Sequence, residues 1–166
     1  FTSPLCRARQ TAELVLAGRD VPLYVEPQLI EMAFGVYEGV TANSGPGGTL
    51  NQNLVDFICH AERYQAPEGG ETFQELSKRM ADYLFDLCHR QELADKTILL
   101  ASHGGAITAL LNAMDPPEGF FWRGGVPYNC SYAIIDVGTD GVPVLVAENQ
   151  ICYPLEQAQG NFPRLD

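Results

Sequence analysis

Thr97-Ile98-Leu99-Leu100-Ala101-Ser102-His103-Gly104-Gly105-Ala106-Ile107 is the stretch on which the fold turns. A β-branched and aliphatic run ends on Ser-His, two glycines follow, and an apolar helical pattern begins. The pattern predicts a buried strand over residues 97–101 that delivers His103 to the mouth of a helix. Backbone N–H groups at a helix start favour anions. Glycine carries no Cβ to hold a ligand away. His103 and Gly104 are therefore placed where a phosphate or carboxylate would bind.

Working outward, Phe73, Leu76, Met80, Leu84 and Leu87 form one apolar stripe, which predicts a helix from Thr72 to about Arg90. Pro67-Glu68-Gly69-Gly70-Glu71 is the turn before it. Residues 106–114 predict a helix that is apolar nearly all round and hence buried. Pro116 and Pro117 end it and open a short helix through Trp122. Residues 131–137 and 142–148 predict a hairpin around Gly138-Thr139-Asp140-Gly141.

At the start of the chain, Ser3 reads as a helix N-cap and Pro4 as the first helical residue. That helix would reach Ala17, with Gly18 as its terminator. A short strand over 21–25, an aromatic-anchored loop over 28–39, a mobile surface loop over 41–49 and a helix over 50–64 complete the reading. Strands alternating with helices indicate an α/β domain: a three-layer α/β/α sandwich with a mostly parallel mixed sheet.

The 166 residues suit one domain, 1–166, with enough chain to bury a core. Hydrophobic content is 46%, which excludes general disorder. A net charge of −11 excludes a general nucleic-acid or membrane-surface binder, because phosphates repel such a surface. A local cationic cluster still admits a small phosphorylated substrate. The five cysteines form no C-x-x-C pair, which argues against zinc and fits reduced thiols in a cytoplasmic protein. No secretory signal or initiator methionine is present, and Phe1-Thr2-Ser3 reads as the end of a strand. The domain is therefore expected to be incomplete at its N-terminus.

Three residues carry candidate chemistry. Arg7 falls in the first turns of a helix, where a guanidinium can grip a phosphoryl group bidentately. Taken alone it is an ordinary solvated charge. Glu31 lies among Leu29, Ile30, Met32 and Phe34, a setting that suits a general acid as well as a loop glutamate. Glu38 is a rival acid. His103 is set apart from His60 and His89 by its strand-His-Gly-Gly-helix context. A nucleophile elbow, a P-loop lysine, a dinucleotide glycine fingerprint and a Cys-x5-Arg arrangement are all missing from the sequence. Phe120, Phe121 and Trp122 serve packing or line a pocket.

Ser3-Pro4-Leu5-Cys6-Arg7-Ala8, Leu29-Ile30-Glu31-Met32, Gly70-Glu71-Thr72, Ala101-Ser102-His103-Gly104-Gly105 and Pro127-Tyr128-Asn129-Cys130-Ser131, in that order, resemble the histidine phosphatase superfamily, the phosphoglycerate-mutase-like group. The resemblance implies phosphoryl transfer through a phosphohistidine, without metal or other cofactor. It implies that Arg7 grips the phosphoryl group, with Gly104 beside it. It gives Glu31 the protonation of the leaving oxygen, and His103 the stabilisation of charge on the phosphoryl oxygens. The nucleophile of that family lies in an Arg-His-Gly segment upstream of Ser-Pro-Leu, on a first strand central to the sheet. Neither His60 nor His89 has those neighbours.

The expected activity is therefore a phosphatase of small phosphorylated metabolites, with its nucleophile upstream of Phe1. Mutase-type transfer, or a non-catalytic phosphate-binding or structural module, are the alternatives. The residues here would then show no turnover by themselves, and an exposed sheet edge through which copies can pair. Substrate choice falls to residues 36–64 and 116–128.

Overall fold

The structure, a computed structural model, describes residues 1–41, 51–117, 121–123 and 125–158. Four α-helices are described: α1 (Cys6–Leu16), α2 (Gln52–Cys59), α3 (Phe73–Cys88) and α4 (Gly104–Met114). Two strands, β1 (Tyr132–Val137) and β2 (Pro143–Gln150), form an antiparallel hairpin with Ile135 opposite Leu145 and Val137 opposite Pro143. The chain is of the α/β class.

Helix α3 begins where its chemistry dictates. Thr72 is the N-cap, its side chain accepts from the Glu75 N–H, and the Glu75 carboxylate returns to Thr72 in a capping box. Of the predicted stripe, Leu76 and Met80 are fully enclosed and Leu84 is buried, while Phe73 and Leu87 at its ends are half-buried; Tyr83, outside the stripe, is buried beside them. They pack on Ala106, Ala109, Leu110 and Leu111 of α4, with Leu29, Met32, Phe57 and Trp122 completing the core. Phe57 stacks on Phe73 at 5.3 Å and meets Phe34 and Trp122 edge-on. Trp122 Nε1 donates to the Phe57 carbonyl at 2.7 Å, and Phe121 packs on Phe73 at 4.2 Å. These two aromatics are packing residues; Phe120 lies outside the described residues.

Several expectations shift. Helix α1 starts three residues after Ser3, with Leu5 as its extended N-cap, while Ser3 donates its N–H to the Ala101 carbonyl at 2.9 Å. Gly18 does stand just past the helix, at φ +76°, where a side chain would be strained. The helix expected over 50–64 is confined to α2 and capped by the Asn51 side chain. No helix forms at 116–117 or 121–123. The loop expected over 41–49 lies outside the described residues apart from Thr41.

The sheet expected as one layer is in two pieces. Thr2 is flanked by Val25 and by Ala101, both in parallel, but each pairing is a single bridge. Among the described residues, Phe1, Thr2 and Ser3 face residues 97–101, through bonds to Leu99 and Ala101. The hairpin β1–β2 stands apart from these bridges, across a cleft that both line.

Candidate active site

The two glycines after His103 do what the sequence predicts: α4 starts there, with His103 as its N-cap in an extended conformation. His103 is 7% exposed. Arg7, in the first turn of α1, donates from Nε to His103 Nδ1 at 3.2 Å. Nδ1 is thus the acceptor, and the ring proton sits on Nε2, which donates to Ser3 Oγ at 2.7 Å. Ser3 Oγ also accepts from the Leu5 N–H at 3.2 Å. Ser3 therefore orients the imidazole instead of capping α1, a role invisible in sequence because its partner is 100 residues away.

Burial, and the Arg7 guanidinium next to it, push the His103 pKa down from 6.5 to about 4. The ring is neutral at pH 7. Among the described residues, only Nε of Arg7 is committed, so both Nη groups are available to an anion. Arg7 itself is exposed.

Glu31 is half-buried at the same helix start. Its apolar neighbours do not enclose the carboxylate. Oε2 accepts from the Gly105 N–H at 3.2 Å, and Oε1 from Ala106 at 3.0 Å and Met32 at 2.9 Å. The anion that the helix N-terminus attracts is the protein's own carboxylate. A Cβ on Gly105 would stand 2.7 Å from Glu31 Oε1, so glycine is needed there for close approach. Ser102 Oγ adds a further tie, donating to the Leu29 carbonyl at 2.8 Å.

Glu38 is placed elsewhere. It is exposed, and Oε1 accepts from the Phe34 N–H at 2.8 Å, closing a tight turn. His60 and His89 end α2 and α3; His60 lies 3.6 Å from Glu62, and His89 stacks on Phe85.

Arg7, Glu31, His103 and Gly104 all line one cleft of about 2380 Å³. It exceeds a small-molecule site of roughly 300–1,000 Å³ because it continues from His103 along residues 97–101 and β1. No group of three or more potential metal ligands occurs among the described residues, and no described helix is long and apolar enough to cross a membrane.

A guanidinium with two Nη groups unbonded among the described residues, a neutral buried imidazole and a carboxylate meet at one helix start, and the two Nη groups have the geometry to hold an oxyanion. The family model described as "Histidine phosphatase superfamily (branch 1)" matches residues 1–150. This chain belongs to that superfamily. It is 30% identical over 135 residues to an adenosylcobalamin/alpha-ribazole phosphatase of Salmonella typhimurium, covering 80% of this chain and 64% of that protein. A 2,3-bisphosphoglycerate-dependent phosphoglycerate mutase 2 of Gloeobacter violaceus is 27% identical over 118 residues, covering 69% of this chain and 53% of the mutase. The crystal structure of an Entamoeba histolytica phosphoserine phosphatase in complex with 3-phosphoglyceric acid superposes with a TM-score of 0.70 at 26% identity, covering 91% of this chain and 73% of that one. The chain thus spans just under two thirds of the Salmonella protein's length. Superfamily members related to this chain are phosphatases and phosphoglycerate mutases acting on small phosphorylated compounds.

Proposed function

We propose that the protein is a phosphatase that hydrolyses small phosphomonoesters through a phosphohistidine, with the attacking imidazole supplied by residues outside these 166. The observation that carries the reading is the Arg7–His103–Ser3 chain of hydrogen bonds set beside Glu31 at the start of α4. The two free Nη groups of Arg7 would clamp the phosphoryl oxygens. A dianion beside His103 offsets its desolvation and lets the ring take a second proton. Nδ1 then donates instead of accepting, and Arg7 and His103 both turn their N–H groups on the phosphoryl group. The nucleophilic nitrogen attacks phosphorus and the P–O ester bond breaks; Glu31, entering this step in its protonated form, gives that proton to the leaving oxygen and becomes the carboxylate. Water then cleaves the N–P bond, with Glu31 taking a proton from it.

We further infer that the nucleophile arrives on an extended segment lying in the cleft between residues 97–101 and β1. Among the described residues, the backbone of 97–101 bonds only to Phe1 and Ser3, and β1 pairs only with β2. Each wall thus offers one unpaired edge to a strand. Ile98, Leu100, Ile107 and Ile135 line the space.

The test is phosphate release from phosphomonoesters by the intact parent protein, with and without a chelator. Release that survives chelation and disappears in His103→Ala supports the reading. No release from any monoester, or strict dependence on metal, overturns it. The 27%-identical mutase favours one second reading, transfer between phosphoglycerates. Isomerised ester in place of free phosphate would identify it.

A further inference from the structure

Glu31 sits on a loop, yet its carboxylate meets three backbone N–H groups. Something must hold that loop in register with α4. On one flank, Ser102 Oγ takes the Leu29 carbonyl. On the other flank stands Arg79, projecting from α3. Its Nη1 donates to the Gln28 carbonyl and, at 3.0 Å, to the Ile30 carbonyl, the residue immediately before Glu31. Its Nε and Nη2 take the two oxygens of Glu71 at 2.9 and 2.8 Å.

Glu71 is itself tied to the same loop, beyond Glu31: its N–H donates to the Ala33 carbonyl at 2.8 Å. The segment carrying Glu71 lies hard against residues 34–36. Val36 N–H bonds the Glu68 carbonyl at 3.0 Å. Gly35, at φ +51°, approaches so closely that a Cβ would fall 2.1 Å from that carbonyl oxygen. The Arg79 and Glu71 side chains are only 21% and 16% exposed, so water competes weakly for the pair.

We propose that Arg79, locked by Glu71, is the positioning residue that aims the Glu31 carboxylate at the start of α4, and thereby sets its reach to the leaving group. The importance of that aim for catalysis rests on the proposed role of Glu31; the aim itself does not. The planar fork is essential. One guanidinium faces a carboxylate along one edge and two carbonyls with its remaining nitrogen, a division that a single ammonium cannot reproduce. A bare strut between α3 and a loop would need only the ion pair.

The deciding experiment is residue-resolved amide exchange by NMR on the intact parent protein, comparing wild type with Arg79→Gln, Arg79→Lys, Glu71→Gln and, as reference, Glu31→Gln. Loss of a charge-assisted bond predicts about tenfold or greater loss of protection at Met32, Gly105 and Ala106 in each Arg79 variant, as in Glu31→Gln. Leu110 and Leu111, further along α4, should keep theirs. Arg79→Lys retains the charge and serves if Arg79→Gln does not fold. Unchanged protection at those three amides in Arg79→Lys, or an even loss along the whole of α4, would overturn the proposal.

A second arm uses the same protein. Arg79→Lys should slow hydrolysis of an alkyl phosphate about tenfold more than that of p-nitrophenyl phosphate, whose leaving group needs no proton. Equal slowing of both in Arg79→Lys, where Glu31→Gln discriminates, overturns the positioning role. Equal slowing in Glu31→Gln itself removes the acid role from Glu31, and the amide result then stands alone as the test of the clamp.

Discussion

The His103 ring makes acid sensitivity a direct readout of the candidate site. In the folded chain its pKa is held at about 4 by burial and by Arg7; in the unfolded chain it returns to 6.5. Between these values the unfolded chain binds more protons than the folded one. Stability from this group is therefore complete above pH 6.5, falls as pH drops from 6.5 to about 4, and changes no further below. The gap is worth about 1.4 kcal/mol per pH unit, or about 3 kcal/mol at full extent.

The perturbation that isolates it is His103→Asn. Its amide oxygen stands where Nδ1 stood and can still accept from Arg7, and it does not titrate in this range. Urea melts of both proteins at intervals from pH 7.5 to pH 4 would be compared, so that the carboxylates cancel. Wild type should lose about 3 kcal/mol more than His103→Asn across the window. Sulfate, a dianion throughout that window, should shrink the difference by favouring the charged ring beside Arg7. Parallel pH curves for the two proteins would refute the assignment of a buried, Arg7-facing neutral imidazole. An unchanged difference in sulfate would refute anion binding at that position.

Other outcomes follow from particular contacts. Gly105→Ala forces Glu31 Oε1 away from a Cβ 2.7 Å off, losing the bonds to Gly105 and Ala106. Against a helix-propensity gain of up to about 1 kcal/mol, a net loss of about 1–3 kcal/mol in denaturant melts is expected, and a stabilised variant would contradict it. Arg7→Lys removes the forked donor and should weaken inorganic phosphate binding, read by calorimetry, by about 10- to 100-fold. An unchanged affinity would show that Arg7 does not meet the anion. Tyr83 is 2% exposed and its hydroxyl has no hydrogen-bond partner among the described residues. Tyr83→Phe should raise the thermal midpoint, corresponding to about 1 kcal/mol or more, whereas a lowered midpoint would reveal a partner for that hydroxyl.

Local chemistry made much of this protein legible in one dimension. The centre of the Phe73–Leu87 stripe, Leu76, Met80 and Leu84, appears as the buried face of α3 because helical spacing needs only neighbours along the chain. The Gly104–Met114 helix and the β1–β2 hairpin were readable for the same reason. Arg7, Glu31 and His103 were nameable as candidates from motif context. The tertiary structure alone decided how they are used. Ser3 leaves the expected cap to hold an imidazole 100 residues away. Glu31 finds backbone donors instead of an apolar pocket, and Glu38 is spent on a turn. Glu71 stood in a motif, but nothing along the chain tied it to Arg79 eight positions on, nor Arg79 to the carbonyls of a loop more than 40 residues upstream. Hydrogen bonds between distant segments depend on where the whole chain closes, and no periodicity along the sequence records that.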